Sequence, residues 1–170
     1  EQNQADVPNV FTLDTENPGL ASVTPSTALI TDANGGGQFT LSVTFDEAMN
    51  TGVNPTLSFP SEDPSQTLSF VSGTWVDDTT FEATYDVTDA NLDLEDIDIQ
   101  VSGAEDALGN PQVADGVEDV AADVFNIDTE NPLVLNLSPP EIITDDEGGN
   151  QVSFLVTFNE AMNQDVDPTI

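Results

Sequence analysis

The sequence predicts an all-β protein built as a two-sheet sandwich, and three observations carry that prediction. Apolar and polar residues alternate strictly over several short runs, which is the period of a half-buried strand. Turn-forming residues separate those runs at short intervals. No segment sustains the 3.6-residue period of an amphipathic helix.

The clearest strand is Phe39-Thr40-Leu41-Ser42-Val43-Thr44-Phe45, in which every second residue is apolar. Phe81, Ala83, Tyr85 and Val87 alternate likewise, as do Ile97, Ile99 and Val101. Leu57 with Phe59, Leu68 with Phe70, and Trp75 supply shorter strands, and Val120, Val124, Phe125 and Ile127 form a last one. Asn34-Gly35-Gly36-Gly37, Pro60 to Pro64, Asp77-Asp78 and Leu108-Gly109-Asn110-Pro111 mark the turns. Glu47-Ala48-Met49 is read as one helical turn with Met49 directed into the core. The residues expected to be buried are Phe39, Leu41, Val43, Phe45, Trp75, Phe81, Tyr85, Ile99 and Val101.

Self-comparison shows an internal repeat. Val10-Phe11-Thr12-Leu13-Asp14-Thr15-Glu16-Asn17-Pro18 returns as Val124-Phe125-Asn126-Ile127-Asp128-Thr129-Glu130-Asn131-Pro132, at an offset of 114. Thr31-Asp32, Val43-Thr44-Phe45, Glu47-Ala48-Met49-Asn50 and Pro55-Thr56 return at Thr144, Val156, Glu160 and Pro168 with an offset of 113. The expected organisation is therefore the end of a preceding repeat in 1–13, one complete repeat in 14–127, and the beginning of the next in 128–170. The expectation is a longer chain, in which 128–170 is completed by material beyond Ile170; the alternative is a single duplication with a truncated end. About seven short strands in one repeat, with regular turns, point to an Ig-like Greek-key sandwich in an end-to-end tandem array.

Val-Thr-Phe-Asp-Glu-Ala-Met-Asn at 43–50, Ser-Gly-Thr-Trp at 72–75 and Ser-Gly-Ala-Glu-Asp-Ala-Leu-Gly-Asn at 102–110 follow one another in order. This succession resembles the bacterial Ig-like repeats of large surface adhesins and S-layer-associated proteins. The resemblance implies an extracellular structural repeat. Asp-Thr-Glu-Asn-Pro at both repeat junctions is similar to the calcium-binding linkers of cadherins.

Composition narrows the chemistry. Asp and Glu total 33 in 170 residues, while Lys, Arg, His and Cys are all absent, so the formal net charge is -33. Such a charge repels itself in the compact state, and an external counter-ion is expected to offset it. Without basic residues there is no electrostatic footprint for nucleic acid or for anionic lipid. Without His or Cys the chain lacks the side chains of the common zinc, haem and iron–sulfur sites and of Ser–His and Cys–His nucleophile pairs. No apolar run approaches the ~18–20 residues of a membrane-spanning helix. Carboxylate pairs could serve a glycosidase, but no cleft with Trp or Arg positioning groups can be assembled around them. The expectation is a non-enzymatic protein.

In a seven-strand order that enters at one pole and leaves at the other, one pole collects Asp14, Glu16, Asn17, Glu47 and Asp106. The opposite pole collects Asp32, Asn34, Glu62, Asp63, the Asp89 to Asp96 loop and the next linker. Carboxylates clustered in this way raise one another's pKa unless a cation lies among them. Ca²⁺ suits such a cluster, because it takes six to eight oxygen ligands in tolerant geometry, whereas Mg²⁺ demands an octahedron. The expected ligands are Asp14, Glu16 and Asn17 with Glu47 and Asp106. The equivalent set is Asp128, Glu130 and Asn131 with Glu160, completed by Asp32 and Asp89. Asp46 becomes Asn159 in the second copy, which argues against a required carboxylate there. For any single acid outside the linker, a turn cap is the simpler role. The expected function is a calcium-rigidified repeat of a secreted fibre or surface adhesin, with neighbouring repeats or identical subunits as partners. The alternative is a module whose pole loops bind a glycan or a protein.

Overall fold

A computed structural model of the chain describes residues 13–112, 119–139, 149, 151 and 153–166. The expected end of a preceding repeat, apart from Leu13, lies outside the described residues, as do Thr144-Asp145, Val152 and Pro168-Thr169. Two compact units divide the chain, Glu1–Thr129 and Glu130–Ile170.

Among the described residues the first unit carries eight strands: β1 (Leu20–Pro25), β2 (Leu29–Thr31), β3 (Gln38–Phe45), β4 (Thr56–Ser58), β5 (Leu68–Trp75), β6 (Thr80–Val87), β7 (Asp93–Ser102) and β8 (Val120–Asp128). They form two four-stranded sheets, in the orders β1-β3-β6-β5 and β2-β8-β7-β4. Every pairing is antiparallel except that of β2 with β8. The inward residues of both sheets share one core, so the unit is a β-sandwich. Phe39, Leu41, Val43 and Phe45 of β3 face it, and Tyr85, Ala83 and Phe81 of β6 stand opposite the first three. From the second sheet come Ile30, Ile97, Ile99, Val101, Phe125 and Ile127. The rings of Phe39 and Phe125, 4.7 Å apart, join the two layers at the centre.

Alternation marks β3, β6 and the second half of β7 well because one face of each is buried. Strands β1 and β2 carry no such signal. β1 pairs with β3 as far as Pro25, then the chain crosses to the other sheet, where Asn126 N donates to Ala28 O at 2.9 Å. The short stretches on either side of the crossing bury too few residues to alternate, whereas Leu68 with Phe70 and Trp75, expected as separate strands, lie on the single β5; two strands gained and two merged give eight where seven were expected.

Three local expectations change. Glu47-Ala48-Met49 is not a helical turn. Met49 N donates to Asp78 O at 2.7 Å and Met49 bridges Asp106, although its side chain is buried as expected. The one helical turn among the described residues is instead a 3-10 turn at Asp32–Asn34. Trp75 is only half-buried, because it ends an edge strand, where its ring packs on Phe45 and Phe81 at 5.8 and 5.4 Å.

Gly73 explains the Ser-Gly-Thr-Trp segment. A Cβ there would lie 2.2 Å from Cζ of Phe81, so the Phe81 ring occupies the space that only glycine leaves open. An aromatic ring across a strand glycine restores the apolar contact that the glycine lacks.

In the second unit β9 (Val134–Ser138) pairs antiparallel with β10 (Leu155–Phe158). The pairing repeats that of β1 with β3. Leu20↔Phe45 and Ser22↔Thr44 bracket one extra residue, and so do Val134↔Phe158 and Asn136↔Thr157. Offsets of 114 on one strand and 113 on the other convert each pair into its counterpart. The sequence repeat is thus matched by a repeated backbone, bulge included.

Gly73→Ala is expected to cost about 1–3 kcal/mol through overpacking. Combining it with Phe81→Leu should return part of that loss, as a double-mutant cycle in urea unfolding would show.

Candidate metal centre

The pole at which the first unit begins is assembled from three chain segments. The linker from Asp14 reaches Gly19, whose N donates to Asp46 Oδ1 at 2.8 Å while Asp46 N donates back to Gly19 O at 3.1 Å. Asn17 Nδ2 donates to Pro111 O at 2.6 Å, which fastens the linker to the loop after β7. That loop is in turn tied to the segment after β3. Asn50 N and Nδ2 donate to Glu105 O and Oε1 at 2.9 and 2.6 Å, and Ala107 N donates to Ala48 O at 2.9 Å.

These ties bring Asp14, Glu47 and Asp106 together, with one carboxylate oxygen from each lying within 4.8 Å of the other two. Asp14 and Glu47 are partly exposed and Asp106 is buried. Each has a different local anchor. Asp14 Oδ1 accepts from Glu16 N at 3.1 Å in an Asx-type turn. Asp106 Oδ1 accepts from Leu108 N and Asn110 N, both at 2.8 Å, and its Oδ2 accepts from Asn110 Nδ2 at 2.6 Å. Gly109, with φ +93°, lets the loop close this tightly. Glu47 accepts no hydrogen bond from the described residues.

The two acids titrate in opposite directions. Burial would raise the Asp106 pKa, but donors from Asn110, Leu108 and Gly109 outweigh it and hold the carboxyl below its usual value. The Glu47 pKa is raised, first by burial and then by the negative charges of Asp14, Asp106, Asp46 and Glu16. Glu47 is therefore the member of the cluster most in need of a positive charge.

The remaining candidates divide by position. Glu16 is exposed and acts on Glu47 through its charge. Asp32 and Asp89 are exposed at the opposite pole, where Gly35 brings their loops into contact. Asp128 ends β8 between Thr31 and Asp93. Glu62, expected at that pole, instead accepts from Asp98 N on the flank of β7. In the second unit Glu130 Oε1 accepts from Asn159 Nδ2 at 3.3 Å, Asn131 is exposed and Glu160 is partly buried.

The role of Asp46 was not legible from composition. It forms a reciprocal clamp on Gly19. Its counterpart Asn159 does the same to Leu133, accepting from N at 2.6 Å and donating to O at 3.0 Å. An acceptor oxygen is all that this clamp requires, so Asp and Asn interchange there.

Three convergent carboxylates supply hard, anionic oxygen ligands and no donor. They suit a divalent cation that completes its shell with water and carbonyl oxygens. Comparison of the chain with protein-family models, curated proteins and solved structures finds no match.

A raised pKa contributes stability that is full below the unfolded value and is lost as pH rises through the folded one. In chelator at neutral pH, Glu47→Gln should therefore melt higher than the unsubstituted chain, with the gap closing on acidification through the raised Glu47 pKa. The lowered pKa of Asp106 has the opposite sign, and its contribution is lost as pH falls through the folded value. Asp106→Asn should therefore melt lower at neutral pH, with the gap narrowing in strong acid.

Proposed function

We propose that the chain is a structural repeat of an extracellular fibre or surface adhesin, stiffened by Ca²⁺ held where one repeat joins the next. The convergence of Asp14, Glu47 and Asp106 at the entry pole carries this reading. Asp14 comes from the linker, Glu47 and Asp106 from the sandwich that follows, so an ion among them fastens linker to domain.

The architecture supports the same reading. With β1 and β2 taken as a split first strand, the strand orders read A-B-E-D and A′-G-F-C, which supports an immunoglobulin-type sandwich. In that order the chain enters at one pole and leaves at the other, as an end-to-end array requires. The junction motif occurs twice, with complementary surroundings. As Asp128-Thr129 it closes a sandwich: Thr129 is fully buried, its Oγ1 accepts from Leu92 N at 2.9 Å, and its N donates to Leu92 O at 2.8 Å. As Asp14 it joins the carboxylate cluster of the next one, while Thr15 beside it is exposed. In an array, one Asp at each joint would end one repeat and contribute to the ion site of the following repeat.

A glycan-binding module with an aromatic platform is less well supported. The single Tyr is buried and the single Trp is half-buried against other rings.

Free Ca²⁺ should raise stability as RT ln(1 + [L]/Kd), about 2.7 kcal/mol at one hundred times Kd. Extracellular modules of this type hold Ca²⁺ at about 10⁻⁴–10⁻³ M. NaCl at matched ionic strength should not reproduce the gain, because screening does not coordinate oxygens. Asp14→Asn with Glu47→Gln should remove it while leaving the sandwich folded. Equal melting temperatures in millimolar Ca²⁺ and in chelator would refute the reading.

A further inference from the structure

We propose that the free edge of β10 is an acceptor for one antiparallel strand with the pattern of β6, the sixth strand of the same repeat in the tandem reading on which this inference rests. In the first unit β3 lies between β1 and β6. The β9–β10 pair reproduces β1–β3 in register and in bulge, and among the described residues β10 pairs with β9 alone. Among the described residues, the side of β10 that corresponds to β6 is therefore an open ladder of N–H and C=O groups.

The apolar side chains indicate the same vacancy. Leu41 and Met49 are 0% and 3% exposed in the first unit, whereas their counterparts Phe154 and Met162 are 48% and 40% exposed. In the first unit part of that cover is β6, which places Ala83 beside Leu41 and Phe81 beside Val43. Transferred by the repeat offset, the same register sets Phe154 against an Ala83-type residue and Val156 against a Phe81-type residue. Leu155, on the other face, meets a Glu82-type residue. The strand β10 reads Leu-Val-Thr-Phe and carries no acid, so an acidic strand such as β6 can add without a like-charge pair directly opposite. Self-pairing of β10 with a second copy would not set an Ala83-type and a Phe81-type residue beside Phe154 and Val156, as the transferred β6 register does.

The absence of cysteine makes disulfide trapping unambiguous. The full chain carrying Leu155→Cys is mixed, in chelator and a glutathione buffer, with excess synthetic peptide spanning Asp78–Thr88. Three peptides carry one cysteine each, at Phe81, Glu82 or Ala83. The mixed disulfide should exceed the other two about tenfold at Glu82, because its neighbours point to the opposite face. Thr157→Cys should select a peptide cysteine at Thr80 in the same way. Ser42→Cys in the first unit, whose edge β6 already occupies, should trap no peptide. Equal yields at the three positions would overturn the proposal. Dominance of a chain-to-chain disulfide in excess peptide would also overturn it, by assigning the edge to a second copy. Chelator keeps the result separate from the Ca²⁺ reading, which stands or falls on its own titration.

Discussion

Every charge on this chain is negative, so each carboxylate drawn into the fold must be met by an N–H group, by a hydroxyl or by a cation from outside. Most are met locally. Asp77 accepts from Thr79 N and Thr80 N, Asp63 from Ser65 N, and Asp98 from Asp123 N and Ser61 Oγ. Hydrogen bonds of this kind hold the Asp63 and Asp77 carboxyls below their usual pKa, so that these acids act as turn fasteners. Asp106 is the buried case, with three hydrogen bonds closing one loop around it. Glu47 is different: it lies beside two other acids, with the charges of Asp46 and Glu16 nearby, and its pKa moves upward, first through burial. That contrast separates acids whose charge is met by hydrogen bonds from one whose charge is opposed by its neighbours.

The two copies of the repeat act as an internal control. Where the copies differ, at Asp46 and Asn159, the geometry asks only for an oxygen acceptor and both residues provide it. Where they agree, at Glu47 and Glu160 and in the Asp-Thr-Glu-Asn-Pro segment, the first unit places acids in a shared cluster.

Much of the sandwich was legible in the sequence because its central strands bury a full face. Strict alternation in β3, β6 and the second half of β7 marks which side chains enter the core, and all eight of the expected core residues other than Trp75 are buried. The illegible parts are those whose fate depends on distant contacts. Strands β1 and β2 are short and half-exposed, and only their pairing with β3 and β8 defines them. Met49 forms a bridge with Asp106 across 57 positions of sequence, which no local pattern encodes. Of the entry-pole acids, the sequence named Asp14, Glu47 and Asp106 through the assumed strand order. It did not show that Asn17 would be committed to Pro111. Nor did it show that Glu62 would serve Asp98.

The central claim is that a calcium ion lies among the carboxylates of Asp14, Glu47 and Asp106. A crystal of the full chain grown in millimolar Ca²⁺, with a second crystal in which a heavier alkaline-earth or lanthanide ion replaces it, tests this by anomalous scattering. The account predicts a peak at that position, with oxygen atoms of all three residues about 2.3–2.6 Å away and water completing the shell. A map with no peak there, or with ions bound only to exposed acids elsewhere, would contradict it.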